Sequence, residues 1–182
     1  MSNLLDVLFA DENKAAMDEV QKNFNLSEQE TRAAVEELIP ALSRGLQKNT
    51  EATPGMDELL EALRTGKHER YMEKPGTLGA PETIKDGNDI LGHIFGSKEV
   101  SREVATRASG KSGLSSSLLK KMLPVVASLA MGALSKQVLG SSGRTKTTRA
   151  GTGGLLSSLL DSDKDGSIWD DVLGMAARTL LR

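Results

Sequence analysis

Three aspartates at alternate positions form the densest group of candidate ligands in this chain of 182 residues. Asp161, Asp163 and Asp165, followed by Gly166 and Ser167, match positions 1, 3, 5, 6 and 7 of an EF-hand loop. In such a loop carboxylates and a backbone carbonyl bind calcium, and the glycine allows a sharp turn. We therefore predict a calcium site whose ligands are the three carboxylates and the carbonyl of Ser167.

The end of this loop departs from the EF-hand pattern. Position 12 is Val172, where a bidentate glutamate belongs, so Asp170 or Asp171 would have to complete the shell. The sequence contains no second loop of this kind to pair with it, and we expect weak binding. The alternative is an Asx-rich turn, in which Asp170 and Asp171 interact with the positive N-terminus of the next helix.

Apart from the candidate calcium loop, no motif in the sequence predicts a chemical function, and none predicts catalysis. The absence of cysteine excludes thiolate nucleophiles, disulfides and cysteine-ligated zinc. The stretch ASGKSG at 108–113 lacks the first glycine of a phosphate-binding loop, because position 105 is alanine. The two histidines, His68 and His93, have no partner that the sequence identifies, so neither is assigned a catalytic role. We expect a protein without enzymatic activity.

The composition predicts an all-α fold built from two similar helical halves. Hydrophobic residues make up 38% of the chain and aromatic residues only 3%, while good helix formers are abundant and β-branched runs are nearly absent. Residues 3–40 and 88–124 share an order of features, which is typical of an internal repeat. The paired landmarks are Phe9 and Phe95, Leu26-Ser27 and Leu114-Ser115, and Pro40 and Pro124.

Proline- and glycine-rich stretches divide the chain into five segments. The predicted segments are an N-terminal helical half at 1–65, an exposed polar linker at 66–88, a second helical half at 89–140, a Gly/Ser/Thr-rich linker at 141–154, and a C-terminal helix–loop–helix with the acidic loop at 155–182. Within the first half, Ser27 and Glu30 are spaced as a capping box that starts a helix.

Charge is unevenly distributed along the chain. Residues 1–63 have 5 basic and 13 acidic side chains, whereas residues 64–150 have 15 basic and 7 acidic ones. Such segregation indicates either a nucleic-acid face or attraction between regions of the same or different chains. The leading hypothesis is a module that binds a protein partner or self-associates. The alternative is DNA binding through the basic middle region. Its candidate residues are Arg107, Lys111, Lys120 and Lys121.

The sequence predicts neither a membrane span nor a signal peptide. The longest near-apolar run, residues 122–134, is shorter than the roughly 20 residues that a transmembrane helix needs. The first residues lack a basic region and a small-residue cleavage site. We therefore expect a cytoplasmic protein.

Three stretches carry a resemblance to a known family. They are GNDILGHIFG at 87–96, GLSSSLLKKMLPVVASLAMGALSKQ at 113–137 and GGLLSSLLDSDKDGSIWDDVLGM at 153–175. Together they resemble the YidB-like family of bacterial domains of unknown function, over essentially the whole chain. The resemblance implies a multihelical bacterial protein with a three-helix part arranged like a homeodomain. It implies no activity, because that family has none assigned.

Overall fold

A computed structural model describes residues 3–51, 53–141 and 149–160. In these residues the chain forms the helices α1 (Leu4–Leu8), α2 (Lys14–Phe24), α3 (Glu28–Thr50), α4 (Thr53–Thr65), α5 (Arg70–Glu73), α6 (Pro81–Phe95), α7 (Lys98–Ser112), α8 (Ser116–Ser141) and α9 (Arg149–Leu160). Two 3-10 turns lie at Asp11–Asn13 and Pro75–Thr77. These same residues contain no strand, so the prediction of an all-α multihelical bundle is confirmed.

The local sequence accounts for several helix ends. Ser27 caps α3 as predicted: its hydroxyl accepts from the Glu30 amide at 3.2 Å, and its own amide donates to the Glu30 carboxylate at 2.8 Å. The bond from the Ser27 amide, and a second bond that the Ser27 hydroxyl donates to the same carboxylate at 2.8 Å, lower the pKa of Glu30. Gly96 and Gly113 end α6 and α7 with φ angles of 70° and 75°, a left-handed conformation that only glycine adopts without strain.

Helix α8 forms the centre of the core. Every residue from Met122 to Ser135 is buried, and α1, α3, α6 and α7 pack around this stretch. A helix that is apolar all round must be enclosed on all sides. The helix is longer than the predicted apolar run: residues 116–140 have the length and composition to cross a membrane, yet 83% of their apolar window is buried inside the fold. That burial is how a core helix behaves.

The prediction of an exposed linker at 66–88 is corrected by the structure. This segment contains α5, a 3-10 turn and the first half of α6, and Tyr71 and Leu78 are completely buried. The composition of this segment is mostly polar because only one large apolar side chain in each short element packs against the core. The second predicted linker, 141–154, is helical from Arg149 onward as the start of α9.

The order of three helices occurs twice along the chain. Helices α1, α2 and α3 are followed later by α6, α7 and α8, in agreement with the predicted repeat of features. Phe9 follows the last residue of α1, and Phe95 is the last residue of α6. Pro40 and Pro124 lie inside α3 and α8 respectively.

Candidate functional site

The predicted calcium loop lies outside the described residues. All six candidate ligands belong to residues 161–182, so the calcium site stays a prediction of the sequence. They are Asp161, Asp163, Asp165, Ser167, Asp170 and Asp171. In the part of the chain that the structure describes, no group of three or more histidine and carboxylate side chains is arranged to bind a metal ion.

The four basic residues of the DNA-binding alternative fall into two pairs. Arg107 contacts Glu103 at 3.0 Å, and Lys111 contacts Glu37 at 3.7 Å, so both are neutralised by carboxylates. Lys120 and Lys121 are exposed near the start of α8. The helix is buried from Met122 to Ser135, so near these two lysines only its first turns are accessible to a DNA groove. Nucleic-acid binding through these residues stays a prediction.

A cleft of about 610 Å³ opens between α3, α4 and α6. Its apolar lining comes from both sides and from the central helix, and consists of Leu46, Leu59, Ala62, Ile90, Ile94 and Met131. Its polar lining consists of Asn49, Thr50, Glu58, His68, Asp86, Asp89 and His93, with Gly55 and Gly66 completing the wall. The cleft therefore brings together both histidines of the chain, which the sequence gave no reason to connect.

Helical spacing places the two long walls of the cleft. On α6, Asp86 is three and four residues before Asp89 and Ile90, and these are four and three residues before His93, which puts all four on one face of the helix. The end of α3 is fastened to that wall by Asn49, whose side-chain amide donates to the carbonyl of His93 at 2.6 Å. Carbonyls at a helix C-terminus lack partners within the helix, and Asn49 supplies one.

A hydrogen-bonded group of Arg70, Tyr71 and Asp86 joins α5 to α6 at the edge of the cleft. The Tyr71 hydroxyl and the Arg70 guanidinium both donate to the same Asp86 oxygen at 2.5 Å. Arg70 also donates to the Tyr71 hydroxyl at 2.8 Å and lies 4.9 Å from the centre of its ring. Burial, and then the hydrogen bond to Asp86, raises the pKa of Tyr71. The carboxylate of Asp86 is therefore already hydrogen-bonded and ion-paired within the protein.

His68 lines the same cleft and is only 9% exposed. Its Nδ1 atom is buried and has no hydrogen-bond partner among the described residues. Burial lowers the pKa of His68, the nearby Asp86 carboxylate raises it, and Arg70 lowers it further. The net shift is downward, so the imidazole is neutral at physiological pH.

Glu58 on α4 and Asp89 on α6 both line the cleft. Both are exposed, and neither makes an ion pair with any residue that the structure describes. They differ in this from Asp86, whose charge is balanced by Arg70. The cleft thus combines an apolar interior with two carboxylates at its rim that have no ion-pair partner in the described part of the chain.

A second groove, of about 170 Å³, lies among α1, α2 and α3. The Arg32 guanidinium carbon lies 4.3 Å from the centre of the Phe9 ring, a cation–π contact that occupies part of this groove. The buried Thr31 hydroxyl faces it without a hydrogen-bond partner in the described part of the chain. The groove has less than a third of the volume of the first cleft and is less suited to a ligand.

Comparison with known proteins places the chain in a family. The family described as "bacterial protein of unknown function (DUF937)", of which YidB is a member, matches residues 6–137. The chain belongs to this family. No curated protein and no solved structure shows a significant match.

The family match confirms the resemblance inferred from the sequence, but it covers a shorter part of the chain than expected. The expected likeness covered essentially the whole chain, whereas the match ends at residue 137, before α9 and the acidic loop. The whole cleft, from Leu46 to Met131, lies inside the matched region. Sequence reasoning missed the cleft, although the spacing of Asp86, Asp89 and His93 was a readable sign of one polar helix face.

Proposed function

We propose that this DUF937 protein is a non-enzymatic interaction module that binds a segment of a partner protein in the cleft between α4 and α6. The bound segment carries apolar side chains flanked by lysine or arginine. The observation that supports this proposal best is the combination of an apolar cleft interior with two carboxylates at its rim, Glu58 and Asp89, that form no ion pair within residues 3–51, 53–141 and 149–160.

The apolar interior provides the binding energy. Ala62 and Ile90 are half-buried in the lining and offer apolar surface that a ligand can cover, with the more deeply buried Leu59, Ile94 and Met131 behind them. Removing apolar surface from water contributes about 25 cal/mol per Å². Clefts of about 300–1,000 Å³ accommodate compact ligands, and an amphipathic helix can lay its apolar face into a groove of this kind. The volume of about 610 Å³ suits a few inserted side chains.

The charges at the rim indicate the character of the partner. Glu58 and Asp89 carry negative charges that no neighbour in the described structure balances. Complementary charges around an apolar contact steer association and suppress binding of like-charged partners. In a segment with basic residues next to its apolar side chains, the apolar side chains contact the cleft interior and the basic ones pair with Glu58 and Asp89. The same carboxylates repel an acidic segment.

Among the described residues, the polar lining of the cleft contains no hydroxyl that is hydrogen-bonded to a histidine. Covalent catalysis requires a nucleophile in hydrogen-bond contact with a base. Thr50 is the hydroxyl residue in the lining, and its side chain donates to the carbonyl of Gln47 at 2.8 Å. The Nδ1 atom of His68 contacts no such group within the described residues. These contacts favour binding over catalysis.

The test uses two synthetic fluorescent peptides with the same helical pattern, one of leucine and lysine and one of leucine and glutamate. We expect the leucine–lysine peptide to bind the full chain in an anisotropy titration and the leucine–glutamate peptide not to bind. The Ile90→Arg variant, with a charge inside the cleft, should weaken binding at least about tenfold, a typical effect of losing a buried contact. Ile84→Arg is the control, because Ile84 is 39% exposed on the same helix and outside the cleft.

A charge-reversal pair tests the rim separately. The double variant Glu58→Lys and Asp89→Lys should abolish binding of the leucine–lysine peptide, since the rim would then repel it. The control is Glu61→Lys with Glu82→Lys, which changes the net charge equally at exposed positions of α4 and α6 outside the cleft. Equal losses in both double variants, or no binding to the unaltered protein, would overturn the proposal.

A further inference from the structure

We propose that the cleft is a pH-dependent binding site, which releases its basic partner at mildly acidic pH when the His68 imidazole becomes protonated. The inference rests on the proposed function, because it concerns the regulation of the same site. It begins from the position of His68 inside the cleft and from the unpartnered nitrogen of its ring.

Neighbouring groups pack against both the ring and the backbone of His68. Gly66 lies against the Nε2 edge of the imidazole, so closely that a methyl group there would collide with it. Gly132 of α8 packs against the backbone carbonyl of His68. The centre of the Tyr71 ring lies 6.1 Å from the centre of the imidazole. A proton added to this imidazole therefore places a positive charge within the cleft wall.

The ionisable side chains that line the cleft with His68, or that act on it, come from three helices. They are Glu58 on α4, Arg70 on α5, and Asp86, Asp89 and His93 on α6. The cleft residues from α3 and α8 carry no charge. Asp86 is the carboxylate that attracts the His68 proton, but its charge is shared with Arg70 and Tyr71. The proton on His68 is therefore only partly compensated, which agrees with the lowered pKa of this group.

A bound lysine or arginine and a protonated His68 repel each other inside a partly dry cleft. Coupling between two binding events is reciprocal, so protonation weakens binding of the basic segment, and the bound segment lowers the pKa of His68 further. Protonation of the His68 imidazole is therefore the event that weakens binding of the basic segment.

The experiment measures the affinity of the leucine–lysine peptide between about pH 8 and about pH 5.5, on either side of the ordinary histidine pKa. We expect the dissociation constant to rise as the pH falls, by at most about tenfold per pH unit because one proton is involved. The His68→Gln variant should bind with an affinity that changes little over this range. His93→Gln is the matched control and should keep the pH dependence, because His93 is exposed and screened by water.

A second readout needs no variant and separates the two proposals. The chain has two histidines, so their Hε1 ring protons give one resonance each, which can be followed by NMR during a pH titration. Saturating leucine–lysine peptide should lower the pKa of the buried histidine more than that of the exposed one. Peptide binding with no shift in His68, or with an unchanged pH dependence in His68→Gln, overturns the pH inference alone. Absence of binding at about pH 8 overturns both proposals, since the imidazole is then neutral.

Discussion

Gly87 of α6 lies directly against the backbone carbonyl of Pro124 in α8. A hydrogen bond next to this crossing holds the same two helices together: the Ser128 hydroxyl reaches the carbonyls of Thr83, at 3.2 Å, and Pro124, at 3.0 Å. Because a Cβ atom at position 87 would overlap main-chain atoms, only glycine allows the two helices to approach this closely. This crossing positions the α6 wall of the cleft relative to the core.

We expect Gly87→Ala to destabilise the protein by about 1–3 kcal/mol, the usual range for overpacking a well-packed interior. The control is Gly92→Ala on the same helix, where no atom lies within 4 Å of an added methyl group. Alanine is the better helix former, so the control should be stabilised by about 0.5–1 kcal/mol. Urea unfolding measures both values, and a neutral Gly87→Ala would contradict the close crossing.

The central position of α8 predicts the cost of truncating its leucines. Leu123 and Leu129 are 1% and 0% exposed, so replacing either with alanine should lower the free energy of unfolding by about 2–5 kcal/mol. Leu155→Ala on α9 is the matched control, because Leu155 is 42% exposed and should cost less than about 0.5 kcal/mol. Unchanged melting temperatures in the two core variants would be incompatible with this fold.

The stability of the folded protein should also depend on the protonation of His68. Burial lowers the pKa of His68 below its value in the unfolded chain, so the unfolded state binds the proton more readily. This contribution to stability is fully present above the unfolded pKa of about 6.5 and is lost as the pH falls from there through the folded pKa. Urea unfolding of the unaltered protein and of His68→Gln, at about pH 7.5 and about pH 5.5, measures the difference. An equal loss of stability in both proteins on acidification would show that His68 is not the responsible group.

The acidic loop yields a test that needs no structure of residues 161–182. Trp169 is the only tryptophan of the chain and lies within the predicted loop, so its fluorescence reports directly on calcium binding. We expect a change at millimolar calcium, in the weak class of about 10⁻⁴–10⁻³ M, and a smaller change with magnesium, which requires a more regular oxygen shell. Asp163→Ala and Asp165→Ala should abolish the response. If the signal and the calorimetric heat stay flat up to about 10 mM calcium, the cluster is a helix-capping turn.

Part of this architecture was predictable from short-range patterns. The Ser27–Glu30 capping box and the apolar run in α8 depend on residues a few positions apart, and the structure contains both where they were expected. Helix capping and helical periodicity are local effects, so the sequence alone carries them. The all-α class follows for the same reason, because helix formers dominate and β-branched runs are scarce.

The cleft depends instead on contacts between residues far apart in the chain. Asn49 contacts His93 across 44 positions, and the α6 wall sits where it does because Gly87 packs against Pro124. The polar composition of 66–88 predicted an exposed linker, yet Tyr71 is buried there. The prediction was wrong because one apolar side chain in each short element is too weak a periodic signal to recognise. The sequence by itself determined the helices and their caps, which follow from local interactions. Only the tertiary structure decided which helix faces meet, and therefore that His68, Glu58 and Asp89 share one cleft. The physical reason is that the same local pattern allows several helix arrangements, and close packing of side chains selects one of them.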